Sequence, residues 1–294
     1  MHQSPVDTTA MITAVDWWLT GLKEEQQASE YTVRGYGRDL SAFLDYLTER
    51  SEAGVGLSHL AALELDQFRG YCAYLEAVGK APSSVARAVA ALRNFFRFLA
   101  ERQLAHNPFI EKLPAPRVPR RAVKSLSQTE AGQAIKLVAE LSDAPWIAKR
   151  DEALFALLYG SGLRLGEALA LTRGQAPAAG ISLEVGSGHR RRSVPVLPFV
   201  PDLIADYLRV CPYPLSDTQP LFVGARGKRL NPGVVQRQIR RLRVLLQLPS
   251  NVTAHTFRQC FAQRLREEGG DLHAMQKLLG HAYPVTTQRY CNPR

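Results

Sequence analysis

The chain has 294 residues, 46% hydrophobic and 22% charged. This is an ordinary globular mix with enough apolar side chains for a sizeable core in one large or two ordinary domains. No apolar run approaches the roughly 20 residues of a membrane span, and the first residues lack the basic and apolar regions of a secretory signal. Four scattered cysteines (Cys72, Cys211, Cys260 and Cys291) without a C-x-x-C pair speak against a disulfide framework or a structural zinc site and fit a reducing cytosol. The net charge of +10 is uneven: residues 1–112 hold 11 Lys/Arg and 14 Asp/Glu, residues 113–294 hold 26 and 13. The C-terminal part therefore carries the positive field that binding a polyanion such as nucleic acid requires.

In chain order, residues 11–26 read as a helix with Trp17, Trp18 and Leu22 on one side. Residues 31–50 repeat Val33, Tyr36, Leu40, Phe43, Leu44 and Leu47 at helical spacing. A third helix is expected over 59–78, ended by Gly79, and a fourth over 83–104 with Ser83 or Ser84 as N-cap. Together they predict a four-helix bundle with Arg34, Arg38, Lys80, Arg87, Arg93 and Arg97 on exposed faces. Residues 107–127, "NPFIEKLPAPRVPRRAVKSLS", are too rich in proline for a helix. Arg117, Arg120, Arg121 and Lys124 make this stretch either a strap across a phosphate backbone or a solvated linker. The remainder reads as mostly helical with one β insertion: "SLEVGSGHRRRSVPVLP" (182–198) is strand, glycine-rich turn, strand. Helices follow near 200–210, 231–247, 256–268 and 271–279.

Three short stretches could carry chemistry. In "LLYGSGLRLGEALALT" (157–172), Gly160 and Gly162 are expected to break the chain, with Arg164 in the first turn of the next helix. A cation there is disfavoured by the helix dipole unless an anion joins it. Glu167 could orient it, although an Arg–Glu pair at this spacing is also a common surface pair. In "TAHTFRQCFAQRL" (253–265), His255 and Arg258 share a face at a helix start capped by Thr253 or Thr256, above a stripe of Phe257, Phe261 and Leu265. They could bind one anion together or lie exposed on an amphipathic helix. In "LLGHAYPVTTQRY" (278–290), Gly280 reads as a C-cap that fixes His281, and Tyr290 follows. A Tyr hydroxyl is a poor nucleophile unless a strongly positive pocket favours its ionised form.

The order R…H-x-x-R…G-H…Y after a helical N-terminal part resembles the tyrosine recombinase (phage integrase) family across nearly the whole chain. The stretches "GSGLRLGEALALT", "VPVLP", "LFVGARG", "HTFRQCFA" and "LLGHAYPVTTQRY" are most similar to its XerC/XerD branch, and "LTRG" and "CPYPL" look like bacterial XerC proteins. The resemblance implies a mainly α fold in two domains. Residues 1–112 would be a SAM-like core-binding domain, 113–126 a basic linker, and 127–294 an α-helical catalytic domain with a small antiparallel sheet, the DNA breaking-rejoining fold. It implies that Arg164 and Arg258 hold the scissile phosphate, that His255 and His281 donate hydrogen bonds to it, and that Tyr290 attacks. A 3′-phosphotyrosyl link and a free 5′-hydroxyl would result, with no cofactor, metal or ATP. The partner would be a double-stranded recombination site, met by copies of this chain or with a XerD-like second recombinase in a tetrameric synapse, in the cytoplasm at the nucleoid and away from membranes. The role implied is resolution of chromosome or plasmid dimers.

Three departures from the family pattern stand out. The hairpin turn carries Ser187 where the family has a Lys that protonates the leaving 5′-oxygen; His189 and Arg190 are nearby but not at the matching position. Arg is a reluctant proton donor, so a slowed cleavage step is expected, or in the extreme a module that binds DNA without efficient cutting. Gln259 stands where the family usually has His. The chain stops four residues after Tyr290, where a further helix is expected. A type IB topoisomerase shares the chemistry but not these N-terminal helices. A metal hydrolase on His255, His273 and His281 lacks an H-x-x-x-H or a carboxylate cluster, and His273 reads as a surface helix residue.

Overall fold

The computed structural model describes residues 5–51, 54–114, 116–118, 126–178, 180, 182–186 and 191–280. The chain forms two units, Met1–Arg121 and Ala122–Arg294. Among the described residues the fold is mainly α with a small antiparallel sheet, as the helical spacing and the resemblance imply.

The N-terminal unit holds α1 (Pro5–Glu24), α2 (Glu30–Thr48), α3 (Leu57–Ala62), α4 (Leu65–Ala77) and α5 (Pro82–Glu101). The four-helix plan holds, with its third helix in two pieces. Leu63 and Glu64 are extended, and the buried Asn107 side chain donates to the carbonyls of Leu60, Ala61 and Leu63. These are carbonyls that a helix end leaves without partners, so a residue 44 positions away in sequence makes the break tenable. The start of α5 is corrected too: Ala81 is its N-cap and Pro82 opens the first turn, rather than Ser83 or Ser84.

In α1 the buried stripe is Met11, Ala14, Trp18 and Leu22, while Trp17 is 56% exposed. One residue is a rotation of about 100°, so adjacent tryptophans cannot share the core face. Trp18 packs edge-on to Phe95 at 5.2 Å, and its Nε1 donates to Asn94 Oδ1 at 2.7 Å. Phe43, Phe68 and Phe96 continue this aromatic core across α2, α4 and α5.

The C-terminal unit holds α6 (Gln128–Ala139), α7 (Pro145–Ser161), α8 (Leu165–Ala170), the strands β1 (Leu183–Val185) and β2 (Arg192–Val194), α9 (Phe199–Val210), α10 (Pro232–Leu245), α11 (Ala254–Glu267) and α12 (Leu272–Leu279). The strands pair antiparallel, Leu183 opposite Val194 and Val185 opposite Arg192. The central helix is α7: beyond a charged stretch from Lys149 to Glu152, every residue from Ala153 to Ser161 is buried. It packs against α6, α9 and α11.

One glycine expectation is corrected here. Gly160 does not break the chain; it lies inside α7, at a position where a Cβ would lie 2.6 Å from Val200 Cγ2 of α9, so the close packing of α9 requires glycine there. Gly162 alone ends the helix, at φ +62°.

Candidate active site

Arg164 follows this turn as the N-cap of α8, with extended backbone, and not in the first helical turn as expected. Its backbone N–H donates to Glu167 Oε2 at 2.8 Å, and its Nη1 to Glu167 Oε1 at 3.0 Å. The expected orienting role of Glu167 therefore has direct contacts behind it. Arg164 keeps 45% of its side chain exposed, whereas Glu167 keeps 20%.

A second arginine, not singled out from the sequence, completes the grip on this carboxylate. Arg192, the first residue of β2, sends Nη1 and Nη2 to the two oxygens of Glu167 at 2.8 and 2.9 Å. Its side chain is only 10% exposed. A third comes from α11. Thr253 caps that helix, its N–H donating to Thr256 Oγ1 at 3.0 Å, and Phe257 and Phe261 are buried with Leu265 packed alongside. This seats Arg258 fully inside the protein, with Nη1 4.0 Å from Glu167 Oε2 and 2.6 Å from the Gly162 carbonyl, to which it donates.

The same three arginines close the end of α12. Arg192 Nε donates to the Leu278 carbonyl at 2.8 Å, Arg258 Nη2 to that of Leu279, and Arg164 Nη2 to that of Gly280 at 3.0 Å. Gly280 is the left-handed C-cap expected of it, at φ +59°. Three successive carbonyls at the partial negative end of a helix thus each receive one guanidinium.

The electrostatics follow from this geometry. Burial alone would raise the Glu167 pKa, but the Arg192 hydrogen bonds, the Arg164 N–H and the two nearby charges outweigh it and hold the carboxyl at about 2. One carboxylate faces three guanidiniums, so the cluster keeps a net charge of about +2, by the permanent charge of arginine. His255 stands beside it on the first turn of α11, partly exposed. The surrounding protein lowers its pKa, and the Arg258 and Arg164 charges lower it further, so the ring favours the neutral form. A neutral imidazole and a cationic cluster side by side form a site for an anion that needs both a hydrogen bond and charge.

The structure brings together Arg164, Arg258 and His255 among the expected site residues. His281, Tyr290, Ser187, His189 and Arg190 lie outside the described residues. So do Arg120, Arg121 and Lys124 of the expected DNA-binding set. Of the others, Arg34, Arg38, Lys80 and Arg117 are exposed. Arg87 forms a two-pronged pair with the buried Asp39 at 2.7 and 2.9 Å. Arg93 donates to the Leu113 carbonyl, and Arg97 lies 3.6 Å from Glu111. These last three serve the fold of their own unit as well as its surface.

Residues 126–294 match the phage integrase family, and residues 15–103 match the phage integrase N-terminal SAM-like domain. A tyrosine recombinase XerC of Rhodospirillum centenum is 44% identical over 278 residues, which is 94% of this chain and 82% of that protein. One of Mesorhizobium japonicum is 41% identical over 275 residues, 93% of this chain and 88% of the relative. Among solved structures, a lambda integrase dimer bound to a core site has a TM-score of 0.72 at 16% identity, covering 96% of this chain and 95% of that one. The XerH recombinase in a post-cleavage complex with its difH substrate has a TM-score of 0.71 at 18% identity, covering 94% and 80%. At such identities the structural matches speak for the fold, and the sequence matches speak for the family. The chain belongs to the phage integrase family and is a tyrosine recombinase, an enzyme that cleaves and rejoins DNA strands.

Proposed function

We propose that this recombinase is Xer-like and acts at paired duplex DNA sites, with Tyr290 as nucleophile and Arg164, Arg258, His255 and His281 around the scissile phosphate. The single observation that carries the reading is the three-arginine cluster beside His255. It binds the end of α12, and the very next residues are His281 and the segment leading to Tyr290. Tyr290 Oη would give up its proton and bond to phosphorus while the bond from phosphorus to the 5′-oxygen breaks and that oxygen takes up a proton, so one proton is released and one consumed. The guanidiniums would stabilise the charge that builds on the non-bridging oxygens. The phosphotyrosyl ester keeps the bond energy, so a 5′-hydroxyl from a partner strand could reverse the step and expel the tyrosine.

In this reading residues 1–112 form the core-binding domain, 113–126 a basic linker and 127–294 the catalytic domain. Arg34, Arg38, Lys80 and Arg117 would contribute phosphate contacts. The partner would be a copy of this chain or a XerD-like recombinase in a tetrameric synapse. The task would be to resolve chromosome or plasmid dimers, in the cytoplasm at the nucleoid.

The test uses a labelled nicked duplex bearing the site located by footprinting. A denaturing gel should show a covalent protein–DNA band for the wild type and none for Tyr290→Phe, while a native gel shows equal binding. A band that survives in Tyr290→Phe would remove Tyr290 from the mechanism.

A further inference from the structure

The three arginines of the cluster do not stand alike toward a ligand. Arg164 is nearly half exposed; Arg258 is fully buried and donates through its two Nη atoms to the Gly162 and Leu279 carbonyls, so its place at the phosphate comes from the assignment proposed above and not from its exposure. Arg192 is 10% exposed, and its Nε, Nη1 and Nη2 all donate within the protein. It therefore has little to offer a phosphate directly. What it joins is distinctive: one prong pair grips Glu167, the carboxylate that orients Arg164 and neighbours Arg258, and its Nε grips α12 one residue from the end.

The backbone around it is shaped to admit this side chain. A Cβ at Gly280 would lie 3.1 Å from Arg192 Cδ and 3.2 Å from its Nε and Nη1. Gly280 is thus needed both for its positive φ and for the close passage of the guanidinium. The strand register puts Arg192 on the inner side of the hairpin opposite Val185, while its neighbour Arg191 is 68% exposed.

From this geometry we infer that Arg192 is a positioning residue for DNA cleavage: it locks Glu167 to the end of α12, so that the guanidiniums at the phosphate and the point where the nucleophile's segment begins form one rigid unit. The inference rests on the assignment of Arg164, Arg258 and Tyr290 proposed above. The lock depends on a planar fork. A guanidinium can hold two carboxylate oxygens and a carbonyl at once through separate nitrogens; a lysine has one nitrogen and cannot keep this geometry. Small misplacements at a reacting centre can cost about a hundred-fold in rate.

Arg192→Lys and Arg192→Ala test this, with single-turnover formation of the covalent adduct, DNA binding and thermal melting all measured on the full chain. For Arg192→Lys the expectation is a cleavage rate between about ten- and a hundred-fold lower, with DNA affinity close to wild type and the variant lower-melting but fully folded at the assay temperature. Millimolar guanidinium should restore part of the rate to Arg192→Ala, and ethylammonium should not. The Arg192→Lys profile should also gain an acid limb, because Glu167 loses the paired bonds that keep it ionised. Wild-type cleavage by Arg192→Lys overturns the proposal. So does a rate loss matched by equal losses in binding and melting, with no rescue. Absence of a Tyr290-dependent adduct in the wild type would instead overturn the site assignment on which the proposal rests.

Discussion

Two buried charged clusters in the C-terminal unit have opposite designs. At one, Arg150 and Asp151 are each about 3% exposed and pair at 2.7 Å. Gln238 donates to the second Asp151 oxygen at 3.0 Å, and Arg150 donates to the Val223 carbonyl at 3.1 Å and lies over Trp146. That cluster has one charge of each sign and is closed. At the other, Glu167 is shared by Arg164, Arg192 and Arg258, and the positive excess stands beside an exposed His255. Burying a charge is costly unless it is paired. A protein that leaves two positive charges uncompensated in a partly buried site is holding a place for an anion.

The largest contrast should come from removing one arginine at each cluster. Arg258→Lys is expected to reduce the single-turnover rate of adduct formation by at least about a hundred-fold, the scale of losing one well-placed donor to a transition-state oxyanion, with the protein still folded. Arg150→Met should instead lower stability by about 3–5 kcal/mol, since it strands a buried carboxylate, and leave the rate per folded molecule within about three-fold. Urea unfolding and the gel assay together read both. If Arg150→Met slows cleavage by folded protein as much as Arg258→Lys does, the division between a structural and an anion-binding cluster is lost.

Acid should separate the two clusters by sign. The Glu167 pKa of about 2 lies below the unfolded value near 4.3. Its ionised form therefore stabilises the fold above pH 4.3, and that contribution, about 3 kcal/mol by linkage, is lost as pH falls through the range from 4 to 2. Asp151 behaves oppositely: burial raises its pKa by more than Arg150 and Gln238 lower it, so the folded state favours the proton and this group gains stability as pH falls. Urea unfolding at pH 7 and pH 3 should show Glu167→Gln with a shallower acid loss than wild type and Asp151→Asn with a steeper one. Equal acid losses in both variants would contradict the assignment.

How far the sequence reveals these arrangements depends on the range of the interaction that makes them. Arg164, His255 and Arg258 could be named in advance because local signals surround them: a glycine turn, a threonine cap, an apolar stripe at helical spacing. The Gly280 cap was legible for the same reason. Arg192 was not, because it ends a run of three arginines whose members look alike until the pairing of Val185 with Arg192 decides which side faces inward. Trp17 and Trp18 were separated only by helix rotation. The break between α3 and α4 depends on Asn107, and the glycine at 160 on the approach of Val200 from another helix. For Arg192, Asn107 and Gly160 the deciding partner is distant in sequence, whereas the two tryptophans are sorted by local helix geometry.

The smallest expected effect tests whether burial, and not pairing alone, gives the Glu167 cluster its weight. The hairpin carries a second ion pair next to it: Arg191 Nε lies 3.3 Å from Glu184 Oε2, with the two side chains 68% and 48% exposed. Arg191 and Arg192 are neighbours in sequence on opposite faces of the same short strand end, so they share local chain, local charge and arginine chemistry. They differ in solvent. An exposed pair gains little because water screens the attraction and holding two long side chains costs entropy. A double-mutant cycle on Glu184 and Arg191 should therefore give a coupling of no more than about 0.5 kcal/mol, falling further in high salt. The same cycle on Glu167 and Arg192 should give several times that value and resist salt. A Glu184–Arg191 coupling as large as the buried one would mean that the hairpin is held by its surface charges, and that the depth of Arg192 is not what makes it the stronger tie.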